Sequence, residues 1–154
     1  MAILAATYLL DTNILLRLSE KRSREFQLVR PVLNALVQKQ ARLCYTSQNL
    51  IEFWNVSTRP VERNGHGLSA MEADAEARGF EEAFLLLPDT EAIHLEWRRL
   101  VVAYGIAGVQ VHDARIVACM KTHGIRHLLT LNGRDFMRYK EITALHPSQV
   151  GVQK

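Results

Sequence analysis

Residues 7–16 read Thr7-Tyr8-Leu9-Leu10-Asp11-Thr12-Asn13-Ile14-Leu15-Leu16. The run is apolar on both sides of a polar trio, so it reads as a buried strand entering a buried helix with Asp11, Thr12 and Asn13 between them. Burying a lone carboxylate is costly unless it is paired, hydrogen-bonded or bound to a metal. An acid at this strand end therefore needs a partner, and the rest of the chain must supply it.

The chain has 154 residues, 48% hydrophobic and 23% charged, which suits a single globular domain over residues 1–150 with a proper core. Its apolar runs fall well short of the roughly 20 residues of a membrane span. The opening "MAILAATYLLD" lacks a basic leader and runs straight into core-like sequence, so a cleaved signal is not expected and the expected compartment is the cytoplasm. Cys44 and Cys119 stand far apart in apolar surroundings, which predicts buried free thiols. A net charge of +3 gives mild attraction to polyanions and by itself decides nothing.

Outward from the opening run, "ATYLL" is predicted as a strand and "NILLRLSE" as a helix. After the basic segment "KRSREFQLVR", Pro31 suits the first turn of a helix to about Gln40, with Val32, Leu33, Leu36 and Val37 on its apolar face. "RLCYT" reads as a second strand, and Ser47 caps the helix "QNLIEFWNVS" that Pro60 ends. "VERNGHG" is a loop by composition. Ser69 and Glu72 form a capping box for a helix with Ala73, Ala77, Phe80 and Phe84 on one face, closed by Pro88. A further helix from about Thr90 carries Ile93, Trp97, Leu100, Val101 and Tyr104 and stops at Gly105. These two helices are expected to form an antiparallel hairpin. "GVQVHDARIVACMKTHG" gives a loop or short strand into a helix, followed by strand "HLLTL", turn "NGRD" and strand "EITAL". Strands alternating with helices predict a parallel sheet covered on both faces, with ligands at the carboxyl ends of its strands.

That rule selects particular acids. Asp11 follows the first strand, Asp113 opens a helix after "VQV", and Asp135 follows "HLLTL" across a short turn, all on one edge. Each of the three has a plain alternative as a helix cap. Glu52 lies within its helix among Leu50, Ile51, Phe53 and Trp54; its alternatives are partial exposure or a salt bridge to a nearby Arg. Four acids on one edge repel strongly without counter-charge, and a divalent cation is the simplest one. Oxygen ligands without His or Cys at metal spacing favour Mg²⁺ or Mn²⁺ over zinc, and that chemistry suits phosphodiester cleavage.

The segments "YLLDTNILLRL", "SQNLIEFWNV" and "VHDARIVACMKTHGIRHLLTLNGRDFMRY" together resemble the PIN-domain nucleases, the group that includes VapC-type toxins of bacterial toxin–antitoxin pairs. The resemblance runs from near residue 8 to near 145. It implies a three-layer α/β/α fold, Mg²⁺ or Mn²⁺ as cofactor and RNA as substrate. By position it carries the catalytic and metal-binding acids onto Asp11, Glu52, Asp113 and Asp135. Many members have an acid where Asn132 stands, so either Asp135 substitutes or that corner is neutral. Asn13 would orient the first carboxylate, while Thr130 and Asn132 would support the metal shell. A toxin role further implies a small antitoxin protein and a homodimer. The rival reading is a PIN-like domain without catalysis that binds RNA or protein.

Other features carry less. His112 beside Asp113 has no G-x-S-x-G elbow to make a triad with, and no phosphate-cradling Gly-rich motif occurs. Asn13, two residues after Asp11, stands where an aspartyl-phosphate enzyme would place a second aspartate. Arg59, Arg63 and Arg115 are candidates to reach a phosphate backbone, against the alternative of solvated surface charge. Trp54 and Trp97 are read as core, and His66 and His94 carry no functional signal.

Overall fold

In the computed structural model, which describes residues 5–150, the opening run divides as its residues dictate. Thr7–Leu10 is a strand, β1, and Thr12–Ser19 is a helix, α1, with Asp11 as its N-cap. Strands β2 (Arg42–Thr46), β3 (Leu85–Leu87), β4 (His127–Leu129) and β5 (Thr143–Leu145) join β1 in a five-stranded sheet of order β3-β2-β1-β4-β5. Every pairing is parallel. Residues 1–4, within the segment expected not to be a leader, lie outside the described residues.

Successive side chains of a strand point to opposite faces, and register carries that alternation through the sheet. Leu9 pairs with Cys44 and Leu128, and all three enter one core with Ile93, Leu100, Ile116 and Met120. Leu10, Leu43 and Leu129 enter the opposite core with Ile14, Leu15, Val29, Phe53 and Phe80. The first core is closed by α5 (Glu91–Ala103) and α6 (Gln110–Thr122), the second by α1, α2 (Arg24–Gln38), α3 (Ser47–Thr58) and α4 (Ala70–Ala83). The expected three layers are present. Both cysteines are buried free thiols in the first core. Among the described residues no helix is long and apolar enough to cross a membrane.

Several local expectations are corrected. Helix α2 begins at Arg24, because Ser23 accepts a hydrogen bond from the Phe26 amide, so Pro31 lies inside the helix and Val37 is exposed. Thr46, not Ser47, caps α3, in a capping box with Asn49. The run before Pro88 is not the end of a helix: α4 stops at Ala83, and Leu85–Leu87 forms the edge strand β3. That strand separates α4 from α5, so the two form no tight hairpin; α5 instead packs along α6, and α4 against α3. "VQV" belongs to α6 and the turn before it, not to a strand.

The strand order places β1 between β2 and β4, where the chain's outward path from β1 to β3 reverses to the other side. Open α/β sheets bind ligands in the crevice at such a switch point, and Asp11 stands at its mouth. Behind it, Phe53 is fully buried and meets Phe80 edge to face at 5.0 Å between ring centroids, while Ile51 is 69% exposed on the same helix. Phe53→Ala is expected to destabilise the fold by about 3–5 kcal/mol. Ile51→Ala should stay within about 0.5 kcal/mol. Urea denaturation of the two variants checks the contrast.

Candidate active site

Asp11 is held by its neighbours on both oxygens. The Thr12 backbone N–H donates to Oδ1 at 2.8 Å, and the Thr130 hydroxyl donates to Oδ2 at 2.8 Å. Thr130 is fully buried at the end of β4; its Oγ1 accepts from Asn13 Nδ2 at 3.2 Å and from the Asn132 backbone N–H at 3.0 Å. Asn13 also donates to Asp11 Oδ2 at 3.4 Å and accepts from the Leu131 N–H at 3.1 Å. The polar trio is therefore a bracket that ties the end of β1 to the end of β4. Asn132 serves this bracket through its backbone, and its side chain is exposed.

Glu52 is fixed from α1 and from its own helix. Thr12 Oγ1 donates to Oε2 at 2.8 Å, and Gln48 Nε2 donates to Oε1 at 3.0 Å. Asn49 Nδ2 donates to Thr12 Oγ1 at 3.2 Å, completing a chain from the α3 cap to the acid. Gln48 Nε2 also donates to the His112 carbonyl at 2.8 Å, and Arg115 Nη1 donates to Gln48 Oε1 at 3.3 Å. One carboxamide thus joins the helix carrying Glu52 to the helix carrying Asp113.

Asp113 does not cap its helix, so that plain alternative does not apply to it. Helix α6 starts at Gln110, so Asp113 lies in its first turn, half-buried. Asp135 is exposed in the short 3₁₀ turn Gly133–Phe136 that follows β4. The four acids share one electrostatic site. Burial pushes Asp11 up to about 6, opposed by the Thr130 and Thr12 hydrogen bonds and reinforced by repulsion from Glu52 and Asp135. Burial also raises Asp113 to about 6, with repulsion from Asp11, Asp135 and Glu52 adding to it and His112 opposing. Among the described residues no Lys or Arg forms an ion pair with any of the four. Nor do three acid, His or Cys side chains close into a ready-made ion cage.

Arg115 is engaged by Gln48 and, at 3.3 Å, by Asp89. Arg59 is half-buried at the end of α3 and Arg63 is exposed in the turn Val61–Arg63, neither bonded to the acids. Trp97 joins the first core and donates from Nε1 to the Val111 carbonyl, whereas Trp54 is half-buried on the flank of α3 rather than in a core. The residues that sequence reading missed are Thr12, Gln48 and Asn49 as holders of Glu52. Gln48 did carry a signal, because it precedes Glu52 by one helical turn on the same face.

Asp11 stands at the carboxyl end of the central strand of a five-stranded parallel sheet with helices on both faces, an α/β architecture whose ligands bind at that edge. The PIN-domain family model matches residues 8–142, and the chain belongs to that family. No curated protein matches the chain by sequence. Among solved structures, it resembles a chain of DNA-bound VapBC from Salmonella typhimurium with a TM-score of 0.69 and 19% identity, over 92% of this chain and 98% of that one. VapBC-1 from nontypeable Haemophilus influenzae gives 0.67 and 18%, over 92% and 98%. VapC20 of Mycobacterium tuberculosis, a sarcin-ricin loop cleaving toxin, gives 0.59 and 16%, over 88% and 98%. At these identities the likeness concerns the fold.

The raised acids set the sign of a pH effect in metal-free protein. Their folded pKa values lie above the unfolded value of 3.8, so their contribution to stability is full below about pH 4 and is lost as pH rises through about 6. Asn cannot ionise, so Asp113→Asn should gain stability relative to wild type as pH rises across that window. Urea denaturation in EDTA at each pH checks this; a constant difference between the two proteins would contradict it.

Proposed function

We propose that this PIN-domain chain is a divalent-metal-dependent endoribonuclease that acts as the toxin of a toxin–antitoxin pair. The observation that carries the reading is the gathering of Asp11, Glu52, Asp113 and Asp135 from four separate elements with, among the described residues, no Lys or Arg in an ion pair with them. Such a set is electrostatically unfavourable alone and is relieved by a hard cation. The donor set fits Mg²⁺ or Mn²⁺: it is all oxygen, and such an ion keeps several waters and needs few carboxylates, so no closed protein cage is required. Asp11 and Asp113 would hold the ion, with Glu52 and Asp135 completing the acidic shell.

When bound, the ion supplies Lewis acidity toward the scissile phosphoryl group and acidifies a water. The chain's own part is orientation. Thr130 and the Thr12 amide fix both oxygens of Asp11. Thr12 and Gln48 do the same for Glu52 from opposite sides. Asp135, exposed on its turn, supplies the acid that the Asn132 position lacks.

The toxin assignment is supported by family membership and by the likeness of the fold to chains of VapBC complexes. It brings with it an antitoxin partner and a homodimer as part of the proposal. The test is cleavage of mixed RNA by purified protein with Mg²⁺, Mn²⁺ or EDTA. Cleavage should need the metal, and folded Asp11→Asn and Asp113→Asn variants should each lose at least about 100-fold in kcat, the scale of several kcal/mol of transition-state stabilisation. Folded wild type that binds RNA yet cleaves nothing with either metal would overturn the enzyme and leave a binding module.

A further inference from the structure

The crevice does not end at the acids. A cleft of ≈ 500 Å³ opens outward from Glu52, walled by Gln48, Arg115 and Asp89 and lined further by Ser47, Ile51, Asn55 and His112. The walling side chains are spent on structure. Gln48 uses its amide on Glu52 and the His112 carbonyl and its oxygen on Arg115, and Arg115 also reaches Asp89. The others are not: among the described residues, the Ser47 hydroxyl, the Asn55 carboxamide and the His112 ring make no hydrogen bond while lining the cleft. Ile51 offers them a neighbouring apolar surface, 69% exposed. Asn55 follows Glu52 by three residues and Ile51 by four, so one side of α3 carries the acid, the apolar surface and the free carboxamide together.

We infer that this cleft is a subsite for one unpaired nucleotide of the RNA chain, next to the scissile phosphate, with Asn55 reading the edge of its base. The inference rests on the ribonuclease reading and extends it to substrate selection. A strand whose phosphate lies at the acids passes directly into the cleft, because Glu52 lines both. The volume falls within the roughly 300–1,000 Å³ of small-ligand sites. Unpaired bases are recognised by contact with a flat or apolar face and by hydrogen bonds along an edge, and a carboxamide presents donor and acceptor side by side as that edge requires. Ile51 supplies the face. Arg115, held by Gln48 and paired at 3.3 Å with Asp89, brings guanidinium donors to the wall of the cleft without adding net charge to it.

The four ribonucleoside 5′-monophosphates are the probes, since they contain no phosphodiester bond. Titrated into isotope-labelled full-length protein, they should give saturable NMR shifts at the Asn55 side-chain amide and the Ile51 methyls. The tightest and weakest nucleotides should differ by about tenfold in Kd. Asn55→Ala should collapse that spread to about twofold and, with an RNA containing the preferred base, raise KM about tenfold while leaving kcat nearly unchanged. Arg78→Ala, on α4 and paired with Asp74, is the control and should change neither. Absence of saturable shifts at Asn55 and Ile51, or a spread that survives Asn55→Ala, would overturn the subsite. So would shifts of these groups that depend on protein concentration alone, which would mark the surface as a contact between two copies of the chain. A protein that cleaves RNA but fails this test loses only the subsite. One that binds nucleotides at Asn55 without cleaving RNA loses the ribonuclease reading and, with it, the subsite's place beside a scissile phosphate, and keeps only a nucleotide-binding cleft.

Discussion

The hydrogen bond from the Thr130 hydroxyl to Asp11, at 2.8 Å across the ends of two adjacent strands, is the constraint on which the site depends. Asp11 must be partly desolvated to stand at the switch point, and a desolvated carboxylate is tolerated only with donors in place. Thr130 and the first amide of α1 provide them, and Asn13 locks Thr130 and the β4 exit to the same point. Strand order, helix start and acid position are therefore one arrangement. Moving any of them would leave a buried polar group without its partner.

A second layer of the same logic fixes the spacing between helices. Thr12 reaches across to Glu52, and Gln48 reaches from beside Glu52 to the backbone preceding Asp113. The two bonds on Glu52 put neutral donors on a carboxylate, which makes them stronger than neutral pairs and leaves the negative charge in place. Salt bridges would have quenched it. The charge repulsion that results is carried by two apolar cores, one on each face of the sheet, whose largest members such as Phe53, Leu9 and Leu128 are fully buried directly beneath the acids' elements.

Much of this was legible in the sequence because the informative residues break a pattern. Asp11, Thr12 and Asn13 interrupt an apolar run, and Glu52 sits where an apolar face would predict none of its kind. The layered parallel fold followed from alternation of strand and helix signals. What was hidden had specific causes. Leu85–Leu87 is too short and too uniform to separate from the helix before it, and as an edge strand it leaves Leu85 and Leu86 near 45% exposed, without alternation. Pro31 read as a helix start because that is where proline is best tolerated, yet Ser23 and the buried Val29 already commit the earlier turn. Thr46 and Ser47 are both good caps, and only the Asn49 side chain returning to the Thr46 amide decides between them. Gln48 carries no charge and matches no motif, so its three hydrogen bonds across two helices emerge only in three dimensions.

The central claim is that the acids converge to hold a hard cation. It is tested most directly by anomalous diffraction from a crystal soaked in Mn²⁺ at neutral pH. The account predicts a peak bonded to Asp11 and Asp113, absent in an Asp113→Asn crystal of the same form. A well-ordered wild-type site with the four carboxylates in place and no peak between them at saturating Mn²⁺ would contradict it.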